Sequence, residues 1–172
     1  MTAAWSVMMR LGELSQGPRT VILEPDAEQR AQIARQIDVI SLPALRAELE
    51  VRPWLDGAEI LGRFQAQVEQ TCGVTLEDFE QPLSGAFEVQ VVPAGSPHAP
   101  DEDSEMELDL EAPDPPDVLA GDVIDLAAYV IEHLALEVDP FPRKPGVSFE
   151  FDAGPEDDSP FAVLKRLQDP KG

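Results

Sequence analysis

From Glu59 to Cys72 the chain keeps a period of two. Ile60, Gly62, Phe64, Ala66, Val68 and Cys72 alternate with Leu61, Arg63, Gln65, Gln67, Glu69 and Thr71, the spacing that puts every second side chain on one face of a β-strand. Neighbouring segments repeat the pattern, which places this strand in the middle of an antiparallel meander. Upstream, Leu45, Ala47, Leu49 and Val51 alternate with Arg46, Glu48, Glu50 and Arg52, then run into Asp56-Gly57, the preferred pair for a two-residue type I′ hairpin turn. A turn there sets Leu55 opposite Ala58, Leu49 opposite Phe64 and Leu45 opposite Val68 on the dry face, and Glu50 opposite Arg63 on the wet one. Turn chemistry, apolar pairing and charge pairing agree on that register. A slip of one residue would put Phe64 in water. Downstream, Gly73 to Pro82 reads as a loop and Leu83 to Val92 as the third strand, with Phe87, Val89 and Val91 on one face.

The flanking elements are shorter. Trp5, Val7 and Met9 alternate with Ser6, Met8 and Arg10, a first strand ended by Gln16-Gly17-Pro18, and Thr20 to Leu23 is a second. A helix is expected over Asp26 to Ile37, with Asp26 as its cap and Gln29 at the capping-box position. The longest helix is expected over Asp122 to Val138: Asp122 serves as N-cap, Val123, Leu126, Ala127, Val130 and Leu134 share one face, and Pro140 and Pro142 stop it. That helix is predicted to cover the dry side of the sheet. Near the end, Ser159-Pro160 opens a short amphipathic run, Phe161 to Leu167.

The fold class expected is therefore α+β: an antiparallel meander of three to five strands packed against one long C-terminal helix, with a shorter N-terminal helix at an edge. Residues 1–172 are read as one domain, with an acidic segment at about 94–120 and a tail at about 143–172. Lys and Arg number 12 against 34 Asp and Glu, a formal net charge of -22. Such a field repels phosphate backbones and anionic lipid and attracts basic proteins. One cysteine excludes an internal disulfide and supplies too few thiolates for a structural zinc site from this chain. Met1 to Leu14 does not have the form of an export signal and no run of apolar residues suits a membrane span, so a cytoplasmic protein is expected.

Few residues suggest chemistry. Cys72 is in phase with Phe64 and Val68, so a buried, inert thiol is expected, with no His or Lys close in sequence to lower its pKa. His133 and Glu137 share a helical face, half of a metal site at most, and a solvated His with a neighbouring carboxylate is the simpler reading. No phosphate-binding glycine loop, nucleophile elbow or zinc-peptidase motif occurs. Catalytic, metal-binding and cofactor-binding residues are accordingly expected to be none. Met106, Leu108 and Leu110 alternate with Glu105, Glu107, Asp109 and Glu111; this reads either as an acidic edge strand or as a linear docking motif for a basic partner. Arg46, Arg52 and Arg63 are interleaved with Glu48, Glu50 and Glu59, as cross-strand pairs would be. Arg143-Lys144 and Lys165-Arg166 are the adjacent basic pairs, and direct RNA contact is expected there if anywhere.

The order of several short motifs resembles the YceD family, named for accumulation of large-subunit ribosomal RNA, in its alphaproteobacterial form. The matching stretches are Gly62 to Ala66, Gln70-Thr71-Cys72-Gly73-Val74-Thr75-Leu76-Glu77, Ile124-Asp125-Leu126, Leu134-Ala135-Leu136, Asp139-Pro140, and Ser159-Pro160-Phe161-Ala162-Val163-Leu164. Many members carry Cys-x-x-Cys where this chain has Cys72 followed by Thr75, and a second cysteine pair is also missing, so no shared metal site is expected. The resemblance implies a cytoplasmic, non-catalytic factor for synthesis, processing or stability of 23S ribosomal RNA. Joined to the net charge, it implies a basic ribosomal protein or large-subunit assembly intermediate as partner, with RNA affected indirectly. Direct RNA binding is the alternative, and a divalent-cation-dependent hydrolase is a third reading.

Overall fold

The sheet is built outward from the alternating stretch. In the computed structural model, which describes residues 5–100 and 114–148, the chain runs β1 (Met8–Arg10), a 3-10 helix (Leu11–Gln16), β2 (Arg19–Leu23), α1 (Ala27–Gln36), β3 (Ser41–Trp54), β4 (Gly57–Thr71), β5 (Asp78–Pro93), β6 (Asp117–Leu119), β7 (Val123–Asp125) and α2 (Leu126–Glu137). Five strands form one sheet in the order β2-β3-β4-β5-β6, antiparallel except for the β5–β6 pair, while β1 and β7 form a separate antiparallel pair. The fold is thus α+β, with β4 in the centre of the meander. Its even-numbered residues from Ala58 to Gln70 are buried, and the residues between them are partly or wholly exposed. The predicted edge strand at Glu105, Glu107, Asp109 and Glu111 and the closing run from Ser159 lie outside the described residues.

The hairpin register differs from the expected one by two residues. The turn residues are Leu55 and Asp56; Trp54 pairs with Gly57, Leu49 with Gly62, Ala47 with Phe64 and Glu48 with Arg63. A shift of two leaves every side chain on its predicted face, so Phe64 is buried as required. The reason lies on β5. A Cβ at Gly57 would come within 1.9 Å of the Val91 carbonyl oxygen, so the glycine is needed for the approach of a third strand and is not free to serve the turn. Leu55 takes the left-handed conformation instead, at φ 49°.

The pairing of β4 with β5 explains two more glycines. Gly62 pairs with Phe87 and Phe64 pairs with Gly85. A Cβ on Gly62 would meet the Phe87 ring at 2.2 Å, and one on Gly85 would meet the Phe64 ring at 2.6 Å. Each ring therefore lies across the bare backbone of the facing strand, shielding it from water. His133 of α2 stacks on Phe87 with ring centroids 4.2 Å apart and planes 7° from parallel, which extends the pile from sheet to helix. His133 is thus half-buried packing rather than the solvated group expected.

Two further expectations are corrected. β5 starts at Asp78, inside the predicted loop, because Phe79 is buried opposite Gln70 and the Thr71 hydroxyl donates to Asp78 Oδ1 at 2.8 Å. Pro82 is tolerated in the stretch of β5 whose only strand neighbour among the described residues is β4. α2 starts at Leu126, and its cap is Asp125 rather than Asp122. Val123 and Ile124 are β-branched and pair with β1. The Asp125 carboxylate then serves both sides, accepting from Ala127 N and Ala128 N of the helix and from Ser6 Oγ and Val7 N beside β1.

α2 buries Leu126, Ala127, Val130, Ile131 and Leu134 over β4 and β5, while α1 packs Ile33 and Ala34 near β3. The capping box of α1 forms as predicted, with Gln29 N donating to Asp26 Oδ1 at 2.9 Å. Both helices end in the same unusual way. α1 closes with Ile37 as C-cap followed by Asp38, and α2 with Val138 followed by Asp139. A carboxylate beside the negative end of a helix costs about 0.3–1 kcal/mol. Asp38 also adopts φ 58° while Val39 N donates to Ala34 O at 3.0 Å, the Schellman closure in which glycine is preferred.

Candidate functional site

A catalytic pair of carboxylates needs at least one group withdrawn from water. Among the described residues the only buried polar side chain is Gln70, and none of the aspartates or glutamates is buried. Gln70 stands on the dry face of β4, where its amide donates to Asp139 O at 3.0 Å and accepts from Gln81 Nε2 at 2.5 Å. It ties β4 and β5 to the end of α2. The alternation passes over it, since a glutamine in phase with apolar residues gives no sign of the partners that satisfy it. No three potential metal ligands converge among the described residues.

Cys72 is buried as expected, yet its surroundings are more polar than its phase suggests. Lys144 N donates to Sγ at 3.4 Å and Thr75 N at 3.5 Å. These donors, the Lys144 amide foremost and then Thr75, lower the thiol pKa to about 6. The expectation of an unperturbed thiol is corrected by a residue 72 positions away in the chain. Gly73 N donates to Pro142 O at 2.9 Å, and Lys144 Nζ pairs with Glu77 Oε2 at 3.0 Å, so this corner fastens the chain after α2 to the turn between β4 and β5. With Sγ enclosed, the thiol serves as an anchor for backbone amides.

The wet face of the sheet carries its charges in pairs. Arg63 Nη2 meets Glu48 Oε1 across the strands at 3.0 Å, Arg46 bonds Glu24, and Arg52 forks onto Glu50 of its own strand at 2.9 Å. The Arg52 guanidinium holds the Glu50 carboxyl below the usual carboxylate range. These arginines are occupied by carboxylates, as predicted, although Arg52 uses a neighbour on its own strand rather than one across it.

A more acidic place lies beside β6, where a cleft is lined by Glu88, Asp114, Asp117, Tyr129, Glu132 and His133. The Tyr129 hydroxyl donates to Asp117 Oδ2 at 3.0 Å, and burial, with the charges of Asp117 and Glu132 behind it, raises the phenol above its ordinary range. Of the residues singled out for RNA, Arg143 is exposed and Lys144 is engaged with Glu77 and Cys72. Lys165 and Arg166, like Glu105, Glu107, Asp109 and Glu111, lie outside the described residues.

The Cys72 corner, the centre of the meander and α2 all fall within residues 60–168, the stretch matched by the family model described as large ribosomal RNA subunit accumulation protein YceD. The chain belongs to the YceD family. The family description assigns it a role in accumulation of large-subunit ribosomal RNA and names no reaction. No curated protein and no solved structure matches the chain. The YceD match begins on β4, so β1, β2, α1 and β3 lie outside the matched stretch. No helix among the described residues is long and apolar enough to cross a membrane.

Proposed function

We propose that this YceD protein is a non-catalytic, cytoplasmic factor that supports 23S ribosomal RNA by binding a basic ribosomal protein or a large-subunit assembly intermediate. The observation that carries this reading is the net charge of -22 on a structure whose described carboxylates all reach the surface. Such a surface attracts cationic proteins and repels phosphate. Ribosomal proteins are the cationic component of the particle whose RNA the family is named for. The test is capture from growing cells at moderate salt with the tagged full chain. Recovery of basic ribosomal proteins is expected; recovery of ribosomal RNA stripped of protein would overturn the reading.

Direct RNA contact is the second reading, kept because Arg143 is exposed on the same corner as Lys144. Reversing the charge of Arg143, Lys144, Lys165 and Arg166 together would abolish RNA association if it holds. On the leading reading, RNA recovery then follows the captured ribosomal proteins and is unchanged.

A further inference from the structure

The C-terminal ends of α1 and α2 converge on one groove of 470 Å³, lined by Ile37, Val39, Ile40, Ala135, Val138 and Pro140, with Asp38 and Asp139 among its walls. Its size suits a few side chains. Ile40 in its lining is 49% exposed, and Leu136 and Phe141, next in the chain to the lining residues Ala135 and Pro140, are 75% and 79% exposed. Exposed apolar surface of this kind, rimmed by polar groups, marks an interaction site.

Charge decides what fits. Each helix presents the negative end of its dipole here, equivalent to about half an elementary charge. Asp38 and Asp139 add carboxylates at those same ends, against Arg35 in the last turn of α1 and Arg143 beyond Pro142, while the Glu137 side chain lies over Gly85 of β5. Lys144 is already matched by Glu77. The two carboxylates offset the two arginines, and the two helix ends leave the balance negative over an apolar floor, which disfavours a phosphate backbone and leaves a purely polar cation with nothing to cover the apolar groups.

We propose that this groove docks a basic amphipathic segment of another protein, apolar side chains covering Ile40, Leu136 and Phe141 while Lys or Arg side chains meet Asp38, Asp139 and the two helix ends. The inference rests on the reading of a basic partner and names where that partner is held. The acidic cleft beside β6, with Glu88, Asp114, Asp117 and Glu132 in its lining, is a second cluster of carboxylates away from the helix ends and is the natural control.

The test is an NMR titration of the isotope-labelled full chain with a synthetic amphipathic helix of Leu and Lys. A matched Leu/Glu helix and an oligolysine are run alongside. Amide shifts centred on Ile40, Ala135, Leu136 and Val138 are expected with the Leu/Lys helix alone. Asp38→Asn with Asp139→Asn, and separately Leu136→Ser with Phe141→Ser, should each weaken binding by about tenfold. Shifts centred on Glu88 and Glu132, equal binding of oligolysine, or unchanged affinity in either variant would overturn the proposal. So would movement of the groove amides without peptide on Lys165→Glu with Arg166→Glu, because the chain's own tail would then be the occupant.

Capture from cells separates this inference from the reading beneath it. If the wild-type chain and the Asp38→Asn, Asp139→Asn variant recover the same ribosomal proteins, the groove is wrong and the basic partner stands. If the wild type recovers none although the Leu/Lys helix binds the groove, the ribosomal reading fails and the groove remains a site for basic segments.

Discussion

The centre of the meander and the shared end of the two helices follow opposite rules. At the centre, strand propensity, alternation and cross-strand packing agree, down to Phe87 over Gly62 and Phe64 over Gly85. At the helix ends, carboxylates sit by negative dipoles, Asp38 holds a left-handed conformation, and Leu136 and Phe141 face water. A chain under selection for stability alone would have glycine or asparagine at 38 and polar groups at 136 and 141. Local choices that oppose the fold are expected where a surface serves something besides folding. The contrast separates a region that holds the molecule together from one available for binding.

Substitution at the centre should produce the largest effects. Gly57→Ala would drive a Cβ to 1.9 Å from a backbone oxygen of β5, and no rotamer change relieves it. A loss of about 3 kcal/mol or more in urea unfolding is expected; a change below about 1 kcal/mol would show that β5 can move aside. Leu134→Ala, at a fully buried site on α2, should cost about 2–5 kcal/mol. Gly62→Ala should cost about 1–3 kcal/mol, and Phe87→Leu in the same chain should recover part of the loss, because its clash is with a ring rather than with backbone. Simple additivity of the two changes would break the account of the ring lying across the glycine.

The Cys72 corner lies between the extremes. Its thiol pKa is depressed from an ordinary 9.0 to about 6, so the stabilisation is fully present above the ordinary value, diminishes as pH falls from there, and is lost once pH has passed below about 6. Urea midpoints of the native protein should therefore fall between pH 9 and pH 6 more steeply than those of Cys72→Ser. Equal slopes would mean that the amides of Lys144 and Thr75 do not favour the thiolate. The smallest effect, and the one of opposite sign, belongs to the helix end. Asp38→Gly should raise stability by about 1 kcal/mol through the left-handed closure of α1. A decrease would remove the contrast, because Asp38 would then be there for the fold.

Much of the centre was legible in the chain because a period of two survives any shift by an even number. Phe64, Val68 and Leu49 keep their face whether the turn falls at Asp56-Gly57 or at Leu55-Asp56. The register itself was not legible. Asp-Gly is a strong local turn signal, and the competing demand on Gly57 comes from Val91, far along the chain. The same holds for the start of α2: Asp122 and Asp125 are equally good caps in isolation, and β1 selects the second by pairing with Val123 and Ile124. His133 looked solvated because nothing in its own helix reveals the Phe87 ring that it covers.

What the sequence determined by itself is which residues of the central strands are dry, that β3, β4 and β5 are neighbours in that order, and the sign of the net charge, since each follows from local spacing or simple counting. Tertiary structure alone decided the pairing partners, the polar anchoring of Cys72 by Lys144, and the meeting of two helix C-termini at one groove. Those depend on contacts between residues distant in the chain, and no local pattern records which distant segment arrives.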